Sequence, residues 1–187
     1  VNGVALSDER FWPIYERAND IGAVLYIHPA HPVDVSMMNE YWLMPLVGFL
    51  MDTTLAAASL VFAGVPERYP KIKWALCHLG GTIPYLAERL DRGFHAFTDC
   101  RARIQREPSS YLKEFYYDTV NFNQGALRLA IEFAGTDHIL SGSDYPHQIG
   151  SIPSMLEAVN ALPVTDEQRE DIRWRNAAKI LGLKKVG

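Results

Sequence analysis

The sequence predicts an α/β fold built on a parallel sheet, and two observations support this. Four short apolar runs, three of them rich in β-branched and aromatic residues, are spaced along the chain, and amphipathic helical patterns fill the intervals between them. Alternation of strands and helices is typical of βαβ units. The runs are almost continuously apolar, which favours strands buried on both faces. Since no Gly-, Ser- or Pro-rich linker and no repeat divides the chain, residues 1–187 are interpreted as a single unit.

The predicted strands cover residues 24–28, 74–78, 115–119 and 139–144. The first three have the composition of buried strands. The fourth is weaker, because Ser and Gly interrupt its apolar run. Four strands, or five if residues 4–6 end another, are too few for a complete eight-stranded barrel, which needs about 250 residues.

Helices are predicted in the intervals from their capping residues and apolar spacing. Ser7 is the expected N-cap of the first helix, and Asp52 that of a helix ending near Gly64. Thr165 and Gln168 have the spacing of a capping box. The remaining predicted helices cover residues 82–97, 123–133, 152–161 and 165–181.

The most apolar stretch, residues 41–65, is interpreted as a loop leading into a buried helix. Pro45, Gly48 and Asp52 interrupt it, so no unbroken run reaches the roughly 20 apolar residues of a membrane span. No signal-peptide pattern is visible near the start. The sequence therefore predicts a cytoplasmic protein that does not bind membranes.

Composition excludes further classes. The chain has 18 Lys and Arg against 22 Asp and Glu, a net charge of −4, so no basic excess is present to neutralise nucleic-acid phosphates. Hydrophobic residues make up 48% of the chain, which is enough to form a core. Two cysteines, Cys77 and Cys100, are too few for a disulfide framework.

Three predicted strands end in metal-capable or titratable residues: His28, His78 and Asp144. Active-site groups of α/β folds lie at the carboxyl ends of parallel strands, so these side chains are expected to converge. Imidazole and carboxylate are common ligands of divalent metals, and a carboxylate beside a metal can also accept a proton.

Each of these residues also has a purely structural interpretation. His28 could cap its strand by bonding a backbone carbonyl, and His78, followed by Gly80 and Gly81, could belong to a turn into a helix. Asp144 could form an Asx turn before Pro146. Cys77 is expected to point away from its neighbour His78 and to act as a small core residue.

Several stretches together resemble the amidohydrolase superfamily, in the amidohydrolase-related branch that includes aminocarboxymuconate-semialdehyde decarboxylase. The matching stretches are Ile27-His28-Pro29, Arg68-Tyr69-Pro70, His78-Leu79-Gly80-Gly81, Pro84-Tyr85-Leu86, Tyr117-Asp118-Thr119, Gly142-Ser143-Asp144-Tyr145-Pro146 and Asn176-Ala177-Ala178. They cover nearly the whole chain in the expected order. They are specific for the branch but not for a substrate.

This resemblance implies a parallel (β/α) TIM-barrel type of fold, of which the chain looks like the C-terminal half with about four βα units. It also implies one divalent metal, zinc or alternatively manganese, held by His28 and Asp144. By the same resemblance His78 and Asp144 are catalytic. Arg89 matches an arginine that reaches a substrate carboxylate in a neighbouring subunit, and Tyr145 and His147 are the further expected substrate contacts.

One departure from the family pattern concerns the first-strand His-x-His pair, because His28 and His31 are separated by two residues. A half barrel also leaves open strand edges, so we expect a homo-oligomer. The expected activity is decarboxylation of an aromatic or unsaturated carboxylic acid, a small-molecule carboxylate. The alternatives are metal-dependent hydrolysis of an amide, ester or lactone, or an inactive half barrel acting as an assembly module.

Overall fold

The computed structural model describes residues 3–30, 32 and 34–183. His31 therefore lies outside the described residues. The described chain forms one sheet of four parallel strands in the order β1-β2-β3-β4, with helices in every interval. The strands are Val24–Ile27 (β1), Lys73–Leu76 (β2), Tyr116–Asp118 (β3) and Ile139–Leu140 (β4). The prediction of an α/β fold with a parallel sheet is confirmed.

Helices follow or precede each strand and cover mainly one face of the sheet. They are Trp12–Asp20 (α1), Phe49–Phe62 (α2), Val65–Arg68 (α3), Ile83–Ala96 (α4), Pro108–Leu112 (α5), Gln124–Ala134 (α6), Ile152–Asn160 (α7), Asp166–Glu170 (α8) and Asn176–Ile180 (α9). Two π-helical turns, Met44–Gly48 and Asp171–Arg175, lead directly into α2 and α9. The capping box is present, because the side chains of Thr165 and Gln168 each bond the other residue's backbone N–H.

Two predicted helix starts are wrong. The helix expected to begin at Asp52 begins about two turns earlier, at the π-helical turn Met44–Gly48, because Pro45 occupies the first turn, where proline is tolerated. Asp8, not Ser7, caps the first turn, and its carboxylate accepts the Arg10 N–H. A side chain one position away can serve as cap equally well.

The helix from Met44 to Phe62 also bears on the membrane prediction. Over these 19 residues it is long and apolar enough to pass a length-and-composition test for a membrane span, with a mean hydropathy of 1.6. Core helices pass the same test, and α2 buries Thr53, Ala57, Leu60 and Val61 almost completely. The face of α2 carrying these residues is part of the core.

Alternate strand residues divide between the two faces of the sheet. One face, with Ile27, Leu76 and Tyr117, packs under the helices in the main core. The other face carries Ala75 and Leu140 and is covered in part by α9. The Lys73 ammonium donates to the Ile180 carbonyl at 2.9 Å and ties the end of α9 to β2. Since the second face is only partly covered, Tyr26 on β1 stays 52% exposed.

Strands β1 and β4 each have one outer edge with no partner strand among residues 3–30, 32 and 34–183. A closed barrel has no such edges. The architecture is thus a four-stranded segment of parallel sheet with most of its helices on one face, as the half-barrel interpretation requires.

Candidate metal and catalytic site

The four strands deliver polar side chains to the same edge of the sheet. His28 follows β1, His78 follows β2, Asp118 ends β3, and Asp144 follows β4. Parallel pairing in register places these carboxyl ends side by side. The structure thereby brings together His28, His78 and Asp144, which the sequence analysis singled out.

His28 has one ring nitrogen engaged and one available. Its Nδ1 lies 2.8 Å from the Pro29 carbonyl oxygen, which can accept only if Nδ1 carries the proton. Nε2 then holds a lone pair, the state in which imidazole binds a metal. The carbonyl bond suggested as a structural interpretation is therefore present, and it also prepares the ring as a ligand.

His78 is buried at the centre of the group. Its ring centroid lies 5.2 Å from that of His28, and its other side faces Phe49 in a stacked arrangement at 6.2 Å. His78 Nε2 is 4.0 Å from Asp144 Oδ1. Burial lowers the pKa of His78 below its ordinary value, although Asp118 and Asp144 oppose this shift. The imidazole is therefore held neutral.

Cys77 lies against His78, so the expectation that it points away is wrong. Its Sγ is 3.1 Å from His78 Nδ1 and 3.5 Å from Thr53 Oγ1. The left-handed backbone at His78 (φ 52°) breaks the strand alternation on which that expectation relied. Burial raises the pKa of the Cys77 thiol to about 12, so it stays protonated. One ligand atom each from His28, Cys77 and His78 lies within 4.8 Å of the others.

Asp144 sits on a tight turn with a left-handed backbone (φ 55°). Its carbonyl accepts the His147 N–H at 2.9 Å, and the chain passes so close that a Cβ on Gly150 would lie 2.1 Å from that oxygen. A non-glycine residue in this region is held there only by its surroundings. The turn aims the Asp144 carboxylate at His78 rather than into an Asx turn.

A glycine is required where the His78 turn meets α2. Gly81 has φ +62°, and a Cβ there would lie 2.2 Å from the Leu50 carbonyl oxygen. The Gly81 N–H donates to the His78 carbonyl at 2.9 Å. The close approach of the Gly81 backbone to α2 thus helps to fix the position of the neighbouring His78 in the site.

Asp118 and Tyr26 belong to the same site and were not singled out as site residues. Asp118 is 2% exposed, and its Oδ2 accepts the Tyr26 hydroxyl at 2.6 Å. Burial raises the pKa of Asp118 above its ordinary value, against the effect of its hydrogen-bond donors. The available signal was a carboxylate at the end of an apolar strand, the same signal that identified Asp144.

The four strand ends open into a cleft of about 510 Å³. Its polar floor contains His28, His78 and Asp144, and most of its walls are apolar. The wall residues include Trp42, Pro45, Leu46, Phe49, Leu50, Val120, Phe122 and Ile149. A smaller recess of about 220 Å³ adjoins it and is lined by Tyr26, Cys77 and Asp118.

The remaining predicted substrate contacts lie at different places. His147 lines both the cleft and the recess, and Tyr145 lines the recess while remaining 69% exposed. Arg89 is exposed on α4 and is not among the described residues that line either cavity. Its predicted role was contact with a substrate in a neighbouring subunit, which a single chain does not display.

The donor set fits a divalent cation. The His28 imidazole, with Nδ1 bonded to the Pro29 carbonyl, and the Asp144 carboxylate converge on a partly enclosed cleft, and His78 adds a further imidazole nitrogen. These ligand types suit zinc or manganese, and the chemistry available is polarisation of a bound carboxylate or activation of water.

Comparison with known proteins places the chain in a family. A family model described as amidohydrolase matches residues 1–183, and the chain belongs to this family. It is 33% identical to a 2-amino-3-carboxymuconate-6-semialdehyde decarboxylase of Dictyostelium discoideum over 98% of the chain and 51% of the relative. It is 34% identical to a 6-methylsalicylic acid decarboxylase of Penicillium expansum over 76% of the chain and 44% of the relative. The chain thus spans about half the length of the curated relatives it matches.

Comparison with solved structures also finds decarboxylases. The 5-carboxyvanillate decarboxylase of Sphingomonas paucimobilis superposes with a TM-score of 0.89 at 25% identity, over 98% of this chain and 56% of that one. A dihydroxybenzoic acid decarboxylase of Polaromonas, solved with manganese and 2-nitroresorcinol, superposes with a TM-score of 0.87 at 26% identity, over 98% and 57%. Both are barrel enzymes, and the predicted family and half-barrel architecture are confirmed.

The lowered pKa of His78 predicts a stability that falls on acidification. Below its ordinary pKa of 6.5 an unfolded chain takes up a proton at this histidine, whereas the folded chain resists it. The free energy of unfolding should therefore drop between pH 7.5 and 5.5, and by less in His78→Gln. Urea denaturation at both pH values measures this, with His95→Gln, exposed on α4, as the control. Equal losses in the wild type and His78→Gln would contradict the prediction.

Proposed function

We propose that this site serves a metal-dependent decarboxylation of an aromatic or unsaturated carboxylic acid. The observation that carries the proposal is the convergence of His28, His78 and Asp144 on the floor of one largely apolar cleft. Similarity to several decarboxylases supports it, although the chain spans about half of their length.

His28 and Asp144 would hold one divalent cation. His28 is prepared for this by its bond to the Pro29 carbonyl, which leaves Nε2 as the ligand atom. When bound, the cation supplies positive charge that orients and polarises a substrate carboxylate. Zinc and manganese both suit this ligand set, and a similar decarboxylase was solved with manganese.

His78 and Asp144 would move the proton. Decarboxylation breaks a C–C bond, releases CO₂ and places a proton on the carbon that held the carboxylate. His78 Nε2 and Asp144 Oδ1 lie 4.0 Å apart and both line the cleft. A neutral buried imidazole can take a proton and deliver it within the cleft, since its lowered pKa makes the protonated form a ready donor.

The walls of the cleft favour an aromatic or unsaturated substrate. Three aromatic residues, Trp42, Phe49 and Phe122, line the cleft beside the polar floor and suit contact with a planar substrate. Apolar walls also exclude water, which strengthens the field of charged groups on the floor and weakens solvation of the carboxylate that must leave.

We further propose that the chain forms a cytoplasmic homo-oligomer. The outer edges of β1 and β4 have no partner strand among the described residues, and large apolar side chains are exposed near the cleft. Tyr41 and Trp42 are 80% and 74% exposed, more than a monomer usually tolerates in adjacent positions. A second copy could also bring its Arg89 to the substrate carboxylate, a match that guanidinium makes well.

Metal binding should depend on the proposed ligands. We expect the chain, stripped with chelator and dialysed against zinc or manganese, to retain one cation per chain. His28→Ala and Asp144→Asn should each weaken binding at least about tenfold, since even loss of a supporting group costs that much. Elemental analysis and calorimetric titration measure this, with His95→Ala as the matched control. Retention unchanged in both ligand variants would exclude the proposed site.

The metal-loaded chain should release CO₂ from hydroxylated benzoates or from aminocarboxymuconate semialdehyde. His78→Gln should reduce kcat by about 10²–10⁴-fold, the usual contribution of a positioned acid–base group. Release of CO₂ is measured directly, beside amide, ester and lactone hydrolysis. Turnover of the latter alone would replace decarboxylation by hydrolysis, and no turnover with intact folding would favour the assembly module.

Light scattering tests the oligomer. The exposed apolar surface predicts a mass that is a multiple of 21.1 kDa at micromolar concentration. Trp42→Ser should shift the equilibrium towards the monomer, and Tyr85→Ser, a similarly exposed aromatic on α4, is the control. A monodisperse monomer at high concentration would refute this part of the proposal.

A further inference from the structure

Asp118 occupies a position that the proposed reaction does not use. It ends β3, between the strands that deliver His78 and Asp144, and its side chain is 2% exposed. A buried carboxylate is costly unless it is fully hydrogen-bonded. The partners of this carboxylate therefore show what it holds in place.

Its two oxygens accept three hydrogen bonds from three different parts of the site. Oδ1 accepts the Leu79 N–H at 2.9 Å and the Val120 N–H at 3.0 Å. Oδ2 accepts the Tyr26 hydroxyl at 2.6 Å. Since Tyr26 lies on β1, Leu79 follows β2 and Val120 follows β3, one carboxylate joins three neighbouring strand ends.

The Leu79 bond matters because of the backbone around it. His78 and Leu79 have φ values of 52° and 55°, so two consecutive residues with side chains lie in the left-handed region. This conformation is sterically unfavourable for residues with a side chain and persists only where the surroundings hold it. The Leu79 N–H belongs to the peptide that joins these two residues, and Asp118 Oδ1 accepts it.

Val120 extends the effect to the cleft. It leaves β3 in a sharp turn, and the side chains of Val120 and Phe122 form part of the cleft wall. Asp118 therefore holds the backbone beside the His78 imidazole through the Leu79 N–H, and the backbone of the apolar cleft wall through the Val120 N–H. Tyr26 orients the carboxylate for both bonds.

We infer that Asp118 is a positioning residue, which sets the place of His78 by holding the Leu79 and Val120 amides, and that Tyr26 locks its orientation. The inference rests on the proposed function in one respect: that function explains why the position of His78 matters. What the site requires of Asp118 is an acceptor at Oδ1. An asparagine supplies that acceptor, and an alanine does not.

The test uses amide hydrogen exchange of the full chain, which does not depend on activity. Asp118→Ala should speed exchange at Leu79 and Val120 by about tenfold or more relative to the core amides of Leu127 and Ile139, the scale expected for one lost hydrogen bond. Asp118→Asn should restore most of the protection. The His78 ring resonances should move in Asp118→Ala and return in Asp118→Asn.

Tyr26→Phe covers the case in which Asp118→Ala does not fold. It removes only the hydroxyl and should raise exchange at Leu79 and Val120 by a smaller factor. Tyr116→Phe is the matched control, because Tyr116 lies on β3 with its ring stacked on His138 and should leave both amides unchanged. Exchange that rises uniformly across the chain, or an Asp118→Asn variant as unprotected as Asp118→Ala, would overturn the inference.

In the metal-loaded chain a turnover assay adds a second readout. Asp118→Asn should keep kcat within a few-fold of the wild type, because positioning needs only the acceptor. A loss as large as that of His78→Gln would make Asp118 a proton-transfer group and overturn its assignment as a positioning residue. If the wild-type chain shows no turnover, the decarboxylase proposal fails, while the exchange data still decide the role of Asp118.

Discussion

The structure depends on parallel pairing, which forces every strand to end at the same edge of the sheet. All four strands are four residues long or shorter, and each by itself brings few polar side chains to the site. Registered side by side, their ends set His28, His78, Asp118 and Asp144 within reach of one another, although more than 110 positions separate the first from the last. The helices between the strands serve this arrangement, because they bury the face of the sheet that carries Ile27, Leu76 and Tyr117, and burial of one face specifies the register.

Much of this could be predicted from residue patterns. The strands were identifiable because they are buried and apolar, and the convergence of His28, His78 and Asp144 follows from the rule that parallel strands end together. The start of α2 could not be predicted correctly, since Pro45 and Asp52 are compatible with more than one helix boundary and tertiary packing selects the longer helix. Element boundaries depend on such contacts more than on local preference.

The errors inside the site have a different origin. The expected direction of the Cys77 side chain depends on strand alternation, which holds only while the backbone stays extended. The backbone becomes left-handed at the next residue, His78, so the alternation stops there. Asp118 ends an apolar strand as Asp144 does, so its presence at the site could be predicted, but its role depends on what it binds: two backbone amides and a tyrosine 92 positions away. Partners so remote in sequence leave no local pattern, whereas a strand-end histidine does.

The hydrogen bond from Tyr26 to Asp118 also links the site to its surroundings. The Tyr26 hydroxyl bonds to the buried Asp118, while about half of the residue is exposed beside the edge of β1 that has no partner strand among the described residues. Any polypeptide that came to rest against that ring would remove water from around the bond and so tighten it. Through Asp118, the half-exposed tyrosine would then couple the pairing of a further strand with β1 to the position of the His78 imidazole, which follows the adjacent strand β2.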